Sequence, residues 1–346
     1  MTSGRRRAET QSKSEQMADS QPKPVDERTN SGLVVAADLG GTHLRVATVD
    51  QDGRIHSRLK QNTPHKKGVD EIVQALVLAA RECERQSAAT ESIRAICVAV
   101  PGTVNVDRGI VIRAPNVSCL DGFPLAGTLE KELKRPVILE NDANAAALGE
   151  MWQGTARERR SIVCLTLGTG VGGGIILDGK LWRGADGSAG EIGHMRVDPF
   201  AGAPCPCGGR GCLEVYASAT AIVRMTREEL PHYRNSCLRT SQELTGETIY
   251  RAGLAGDELA LEVFRRIGVY LGIGLGNLIN ILNPEVIVIG GGVVDGWALF
   301  EKSMHQTVAE GAFPSPVTGA EILRAKCGDD AGLLGAALLA FQKHER

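Results

Sequence analysis

Leu33-Val-Val-Ala-Ala-Asp38-Leu-Gly40-Gly41-Thr42-His-Leu44-Arg-Val-Ala-Thr-Val49 reads as an apolar strand, a glycine turn and a returning strand. Glycines in such a turn let backbone N–H groups converge as an anion-binding nest. Asp38 is placed to hold hydrated Mg²⁺, since a hard cation prefers carboxylate and phosphate oxygens. Thr42 offers a hydroxyl that can donate to a phosphate. Two later stretches repeat the pattern. The strand Ser161 to Leu167 runs into Gly168-Thr169-Gly170-Val-Gly-Gly-Gly174 and then a second strand, Ile175 to Leu177. The buried strand Glu285 to Ile289 ends at Gly290-Gly291-Gly292.

Neither common phosphate motif accounts for these turns. The P-loop needs a Lys-Ser/Thr pair after its second glycine, and none is present. A dinucleotide fingerprint must open a helix, whereas Gly168 to Gly173 leads into Ile175-Ile-Leu177 and a hairpin signal at Asp178-Gly179. One glycine turn alone is equally consistent with a plain hairpin. Three at strand ends, two of them joining strand to strand, predict an α/β chain of two similar lobes. That is the two-lobed, actin-like (ribonuclease H-like) ATPase fold, with a nucleotide cleft between the lobes.

The segments between the turns support α/β. Helical spacing runs over Asp70–Gln86, Leu125–Leu133, the Ala-rich Ala143–Met151, a long Asp257–Leu282 and Leu333–Lys343. Further strands are predicted at Ile93–Val100 and Pro136–Leu139. The expected organisation is a disordered tail over 1–31, an N-terminal lobe over 32–142 and a C-terminal lobe over 143–330. A final helix, 331–346, is expected to pack back on the first lobe. The tail carries Arg5, Arg6 and Arg7 among polar residues and no aromatic, so it has too little apolar surface to order itself.

A second motif lies between strand and helix in the C-terminal half. Gly190-Glu191-Ile-Gly-His194 precedes Cys205-Pro-Cys207-Gly-Gly-Arg-Gly-Cys212-Leu-Glu214. Three thiols and one imidazole suit tetrahedral Zn²⁺, and four protein ligands close the site, which marks it as structural. Cys-Pro-Cys is too tight to bridge to itself without strain. The nine cysteines are an odd number and no secretory signal precedes them, so reduced thiols and a cytoplasmic protein are expected. With a net charge of −2, the chain has no general basic field to recruit nucleic acid. No apolar run is long enough to span a membrane; the nearest, Leu271–Leu282, contains Asn277 and Asn280.

Five motifs in family order carry a resemblance over about residues 33 to 341: Asp38-Leu-Gly-Gly-Thr42, Glu140-Asn-Asp-Ala-Asn-Ala145, Leu167 to Gly174, Gly190 to His194, and Cys205 to Glu214. Together they resemble the ROK family of repressors, open reading frames and sugar kinases, and within it the bacterial glucokinases. The resemblance implies ATP-dependent phosphorylation of glucose at the 6-hydroxyl. Asp142 corresponds to the general base, although Asp is also a favoured helix N-cap before Ala143. Gly102, Asn116, Asn141, Asp142, Glu191, His194 and Glu214 correspond to sugar-binding positions. Asp38, Gly40, Gly41, Thr42, Gly168, Thr169 and Gly170 correspond to the phosphate region, with Gly290, Gly291 and Gly292 on the adenosine side. His194, Cys205, Cys207 and Cys212 correspond to the zinc ligands. A homodimer or homotetramer is implied.

The family also includes kinases for N-acetylmannosamine, N-acetylglucosamine and allose, enzymes that use polyphosphate, and sugar-sensing repressors. The repressors carry an N-terminal helix-turn-helix, for which residues 1–31 are too few and too polar. The segment Asn116-Val-Ser-Cys-Leu-Asp121-Gly-Phe123 departs from the family's aromatic position, so the choice of hexose is expected to rest on this loop.

Overall fold

The computed structural model describes residues 32–344 except 65, 67, 88–92 and 315–318. The tail expected over 1–31 lies outside the described residues. The first sheet combines β1 (Leu33–Leu39), β2 (His43–Val49), β3 (Ile55–Asn62) and β4 (Ile93–Val100) with a later strand, β7. A small hairpin of β5 (Thr103–Asn105) and β6 (Ile110–Arg113) intervenes before β7 (Val137–Asn141). The order is β3-β2-β1-β4-β7: β1, β2 and β3 pair antiparallel, while β4 and β7 lie parallel to β1.

The second sheet repeats the plan. It combines β8 (Ile162–Leu167), β9 (Val171–Leu177), β10 (Lys180–Leu181), β11 (Val286–Gly290) and β12 (Glu321–Arg324) in the order β10-β9-β8-β11-β12. Here too an antiparallel hairpin flanks the first strand on one side and parallel strands flank it on the other. This doubled arrangement is the two-lobed actin-like fold that the glycine turns predict.

Period-two alternation assigns each strand face to a core. Val35, Ala37 and Leu39 of β1 join an outer core with helices α1 (Val69–Gln86) and α2 (Leu125–Leu133). Val34 and Ala36 point the other way, into a central core with α3 (Asp142–Gln153) and α9 (Ala331–His344). On β8, Val163, Leu165 and Leu167 face a second outer core, whereas Ile162 and Cys164 join the same central one. That second outer core gathers α4 (Glu214–Ala217), α5 (Ala219–Glu229), α6 (Gly246–Leu254), α7 (Glu258–Leu282) and α8 (Trp297–Gly311). Strands covered on both faces read as continuous apolar runs, as Val34–Ala37 and Val286–Ile289 do. Both sheets therefore rest on α3 and α9 through one shared apolar layer. The two helices cross closely: a Cβ on Gly335 of α9 would come within 1.7 Å of the Ala145 carbonyl oxygen.

Two local readings change. The glycine stretch after β8 turns only at Gly168–Gly170; Gly172, Gly173 and Gly174 are strand residues of β9, opposite Thr166, Leu165 and Cys164. Gly172 and Gly174 are glycine because α3 lies against them, a Gly174 Cβ falling 2.6 Å from the Cβ of Ala147, whereas Gly173 faces the opposite side, where a Cβ would meet the Gly190 carbonyl at 2.4 Å. The cap of α3 is Asn141, whose Oδ1 accepts from the Asn144 N–H at 2.9 Å, and Asp142 is the first helical residue. The sequence patterns did not mark β3, β12 or α8, whose apolar residues are sparse or irregular.

Candidate functional site

In parallel strands the chain leaves every strand at the same sheet edge, where ligand crevices form. Here β1, β4 and β7 end in Gly40-Gly41, Pro101-Gly102 and Asn141-Asp142. In the second sheet β8 and β11 likewise end in Gly168-Thr169-Gly170 and Gly291-Gly292.

Asn141 organises the turn that leads into α3. Its Nδ2 donates to the Gly102 carbonyl at 2.9 Å and to Asp142 Oδ1 at 3.1 Å. Asp142 Oδ1 also accepts the Ala143 N–H at 2.8 Å, so the Asn141 and Ala143 bonds fall on the same oxygen. Gly102 has φ of +99°, and a Cβ there would meet the Arg113 carbonyl at 2.2 Å, so the β4 turn requires glycine. Burial raises the Asp142 pKa to about 7, and the nearby carboxylates of Asp38 and Glu191 push it the same way. Three acids thus converge: one from the first glycine turn, one from the head of α3 and one from the segment before the cysteine motif.

Asp38 sits directly across β1–β2 from Arg45, whose Nη1 lies 3.3 Å from its Oδ2. Arg45 also reaches Asp329 at 3.0 Å. Burial nevertheless raises the Asp38 pKa, outweighing Arg45. The first turn is braced by Thr63, which donates through Oγ1 to the Gly40 carbonyl at 2.6 Å and through its N–H to that of Thr42 at 2.9 Å. Thr42 is exposed. Asn116, also exposed, stands beside this turn; a Cβ on Gly41 would touch its Cβ at 3.0 Å. The loop carrying Asn116 is closed by Asp121, which accepts the Ala114 N–H at 2.7 Å.

Gly102, Asn141 and Glu191 line one small polar crevice with Asn144, Gly187 and Gly190. His194 follows, its Nε2 3.8 Å from Glu191 and its Nδ1 3.7 Å from Cys205 Sγ. Cys207 and Cys212 Sγ are also 3.7 Å apart, and the four ligand atoms all lie within 4.8 Å of one another. Two sulfurs bound tetrahedrally at about 2.3 Å from one Zn²⁺ would be separated by roughly 3.8 Å. The cluster therefore has the donors and the spacing of a tetrahedral site. The Gly209 N–H and the neighbouring thiols hold Cys207 below the ordinary thiol pKa.

Glu214 bonds elsewhere than to His194: its Oε2 accepts the Val171 N–H at 3.0 Å, tying the cysteine motif to the second glycine turn. Beyond that turn, a groove of about 530 Å³ is lined by Thr169, Thr220, Val223, Arg224, Leu244 and Thr245, among others. Thr220 Oγ1 donates to the Thr169 carbonyl at 2.8 Å, and the Ala219 N–H to that of Gly168 at 2.8 Å. Gly291 packs on Leu167, where a Cβ would come within 2.4 Å of the Leu167 carbonyl; Gly290, Gly291 and Gly292 are not among the groove's lining residues.

Sequence reasoning named Thr169 but missed the other groove residues, Asn144, Arg183 and the role of Glu140. The cap Ser218, which accepts the Ala221 N–H at 3.1 Å, was a usable signal for the helix forming the groove wall. Arg183 carries no local signal; its partner is remote in sequence.

This architecture, with glycine turns at the strand ends of two repeated sheets and a polar crevice beside a buried acid, is that of the two-lobed actin-like ATPases. The chain belongs to the ROK family, whose model matches residues 34–343. It is 39% identical over 314 residues to a glucokinase of Halalkalibacterium halodurans, covering 89% of this chain and 95% of the relative. A ROK family glucokinase from Streptomyces griseus, solved with glucose and AMPPNP, is 35% identical, with a TM-score of 0.77 over 90% of this chain and all of that one. A putative xylose repressor of a Caldicellulosiruptor species is 30% identical over 92% of this chain and 81% of its own length.

Proposed function

We propose that this chain is an ATP-dependent, hexokinase-type phosphotransferase that phosphorylates glucose at the 6-hydroxyl. The observation that carries the reading is Asp142: an acid with its pKa at about 7, set between the phosphate turn of Asp38 and the crevice of Glu191. A base is most effective with a pKa near the working pH. In this reading the ionised Asp142 takes the 6-hydroxyl proton as that oxygen attacks the γ-phosphorus, and the bond to the ADP leaving oxygen breaks.

Asn116, Asn141, Glu191, His194, Glu214 and the Gly102 backbone would partner sugar hydroxyls, each of which needs a bond once buried. Gly41, Thr42, Thr169 and Gly170 would present N–H and hydroxyl donors to the phosphates, while Gly40 and Gly168, whose N–H groups donate to the His43 and Gly170 carbonyls at 2.8 and 2.9 Å, would shape the two turns. The groove beyond Thr169, with the Gly290–Gly292 turn behind it, would take the nucleoside. Asp38 would hold hydrated Mg²⁺, which neutralises charge on the transferring phosphates. His194, Cys205, Cys207 and Cys212 would hold a structural Zn²⁺ that fixes the His194 ring and leaves Nε2 toward the crevice. The same reading sets lobe boundaries at 142/143 and 330/331 and places a homodimer or homotetramer in the cytoplasm. Among the described residues no helix is long and apolar enough to cross a membrane.

The test is ADP release with Mg²⁺-ATP across glucose, mannose, allose, fructose, N-acetylglucosamine and N-acetylmannosamine. A dominant glucose signal is expected. Dominance of another sugar would reassign the substrate to the loop closed by Asp121, while absence of turnover with ATP or polyphosphate would overturn the kinase reading.

A further inference from the structure

We propose that Arg183 and Glu140 form a clamp that sets the sugar-binding segment against the catalytic turn, making both positioning residues for hexose phosphorylation. Glu140, on β7, is buried, with 1% of its side chain exposed. A buried carboxylate persists only when its oxygens are hydrogen-bonded and its charge is paired. Its two oxygens divide the task. Oε1 accepts the Asn141 N–H at 3.0 Å and Asn144 Nδ2 at 3.0 Å, which holds the turn bearing Asp142. Oε2 accepts Arg183 Nε at 2.8 Å and Nη2 at 2.6 Å.

Arg183 comes from the other sheet, just after β10, and begins the segment that leads to Glu191 and His194. Its carbonyl accepts the Ala189 N–H at 3.1 Å, so the loop it opens is closed on its own backbone. Within that loop Gly187 rests on β5, where a Cβ would lie 3.0 Å from the Val104 carbonyl. Gly190 rests on β9, where a Cβ would lie 2.7 Å from the Gly173 carbonyl, and it also faces Asn144. The loop thus lies between the β5–β6 hairpin and the second sheet, and Arg183–Glu140, its one ion pair among the described residues, ties it to β7 of the first sheet. One carboxylate orients the turn of the base with one oxygen and the hydroxyl-binding segment with the other. The two halves of the sugar site keep their spacing through it.

This inference rests on the kinase reading for its kinetic consequence. The experiment compares wild type with Arg183→Met, Arg183→Lys and the charge-free pair Glu140→Gln/Arg183→Met. The double variant keeps the shape of the site without stranding a buried charge. Expected are a rise of about tenfold or more in hexose KM and a fall in kcat, with ATP KM within about twofold and partial recovery in Arg183→Lys. Backbone hydrogen exchange in 141–144 and 184–194 should quicken together in the Met variants. A folded double variant with hexose KM, kcat and exchange in both segments unchanged would overturn the clamp. If wild type turns over no hexose, the kinase reading fails instead, and exchange alone decides: joint quickening supports the clamp and unchanged exchange rejects it.

Discussion

At the residue scale, the burial of Asp142 makes stability depend on pH, and in the proposed kinase reading the same burial sets the base. Burial raises its folded pKa to about 7 from an ordinary 3.8, so the folded chain holds the proton more tightly than the unfolded chain does. The stability linked to this group is full below the ordinary value and is lost as pH rises through about 7. Asp142→Asn should therefore melt higher than wild type at pH 8, by about 2–4 kcal/mol, with the gain gone near pH 4. The same variant should lose about 10²–10⁴-fold in kcat. In wild type, kcat/KM should fall tenfold per pH unit on the acid side of about 7, because only the ionised carboxylate accepts the proton. A melting series and a pH–rate profile check these together; a flat acid limb would remove Asp142 from the chemistry. A metal held by the cysteine cluster, as proposed, would couple its binding to folding. Chelation or Cys207→Ser should lower the Tm by about 5 °C or more and raise the hexose KM, since His194 shares the cluster with Cys205. Unchanged melting in metal-free protein would refute a structural metal.

At the element scale, the head of α3 is aimed by what lies beneath it. A Cβ on Gly174 of β9 would meet the Cβ of Ala147 at 2.6 Å and the Ala143 carbonyl at 2.9 Å. Gly174→Ala must push α3, and with it Asp142, at a cost of about 1–3 kcal/mol. Gly168, by contrast, has nothing within 4 Å of its Cβ direction, so Gly168→Ala should stay within about 0.5 kcal/mol of wild type. Urea denaturation of the two variants tests the contrast, and equal effects would show that α3 can shift freely. This pair also shows what a sequence pattern can and cannot carry. Gly168 and Gly174 look alike in one run of glycines. Yet the first belongs to a turn that offers backbone donors, while the second is a strand residue emptied to admit a helix.

At the scale of the whole molecule, the lobes meet over the central apolar layer, and one buried acid pins its margin. Glu150, near the end of α3, has 1% exposure and accepts N–H groups from Thr155 at 2.9 Å, Lys326 at 3.2 Å and Cys327 at 2.7 Å. It joins α3 to the segment that leads from β12 into α9. Glu150→Ala would leave these donors unpaired and should cost about 2–4 kcal/mol, read by denaturant unfolding. A loss below about 0.5 kcal/mol would mean that water replaces the carboxylate.

The sequence by itself determined the apolar strands, the glycine turns at their ends, the cysteine and histidine set and the acid after Asn141. These are local patterns, with periods and spacings that survive without knowledge of any partner. It marked Asp142 and Glu191 as members of one site but carried nothing about their separation. Only the tertiary structure decided that Glu214 ties to Val171, that Asn141 rather than Asp142 caps α3, and that Arg183 pairs with Glu140 across 43 positions. The physical reason is that a buried charge is placed by whatever cation and donors the fold brings to it. For Glu140 those partners come from β7, from α3 and from the segment after β10, and no periodicity along the chain records which ends of the sheets face each other.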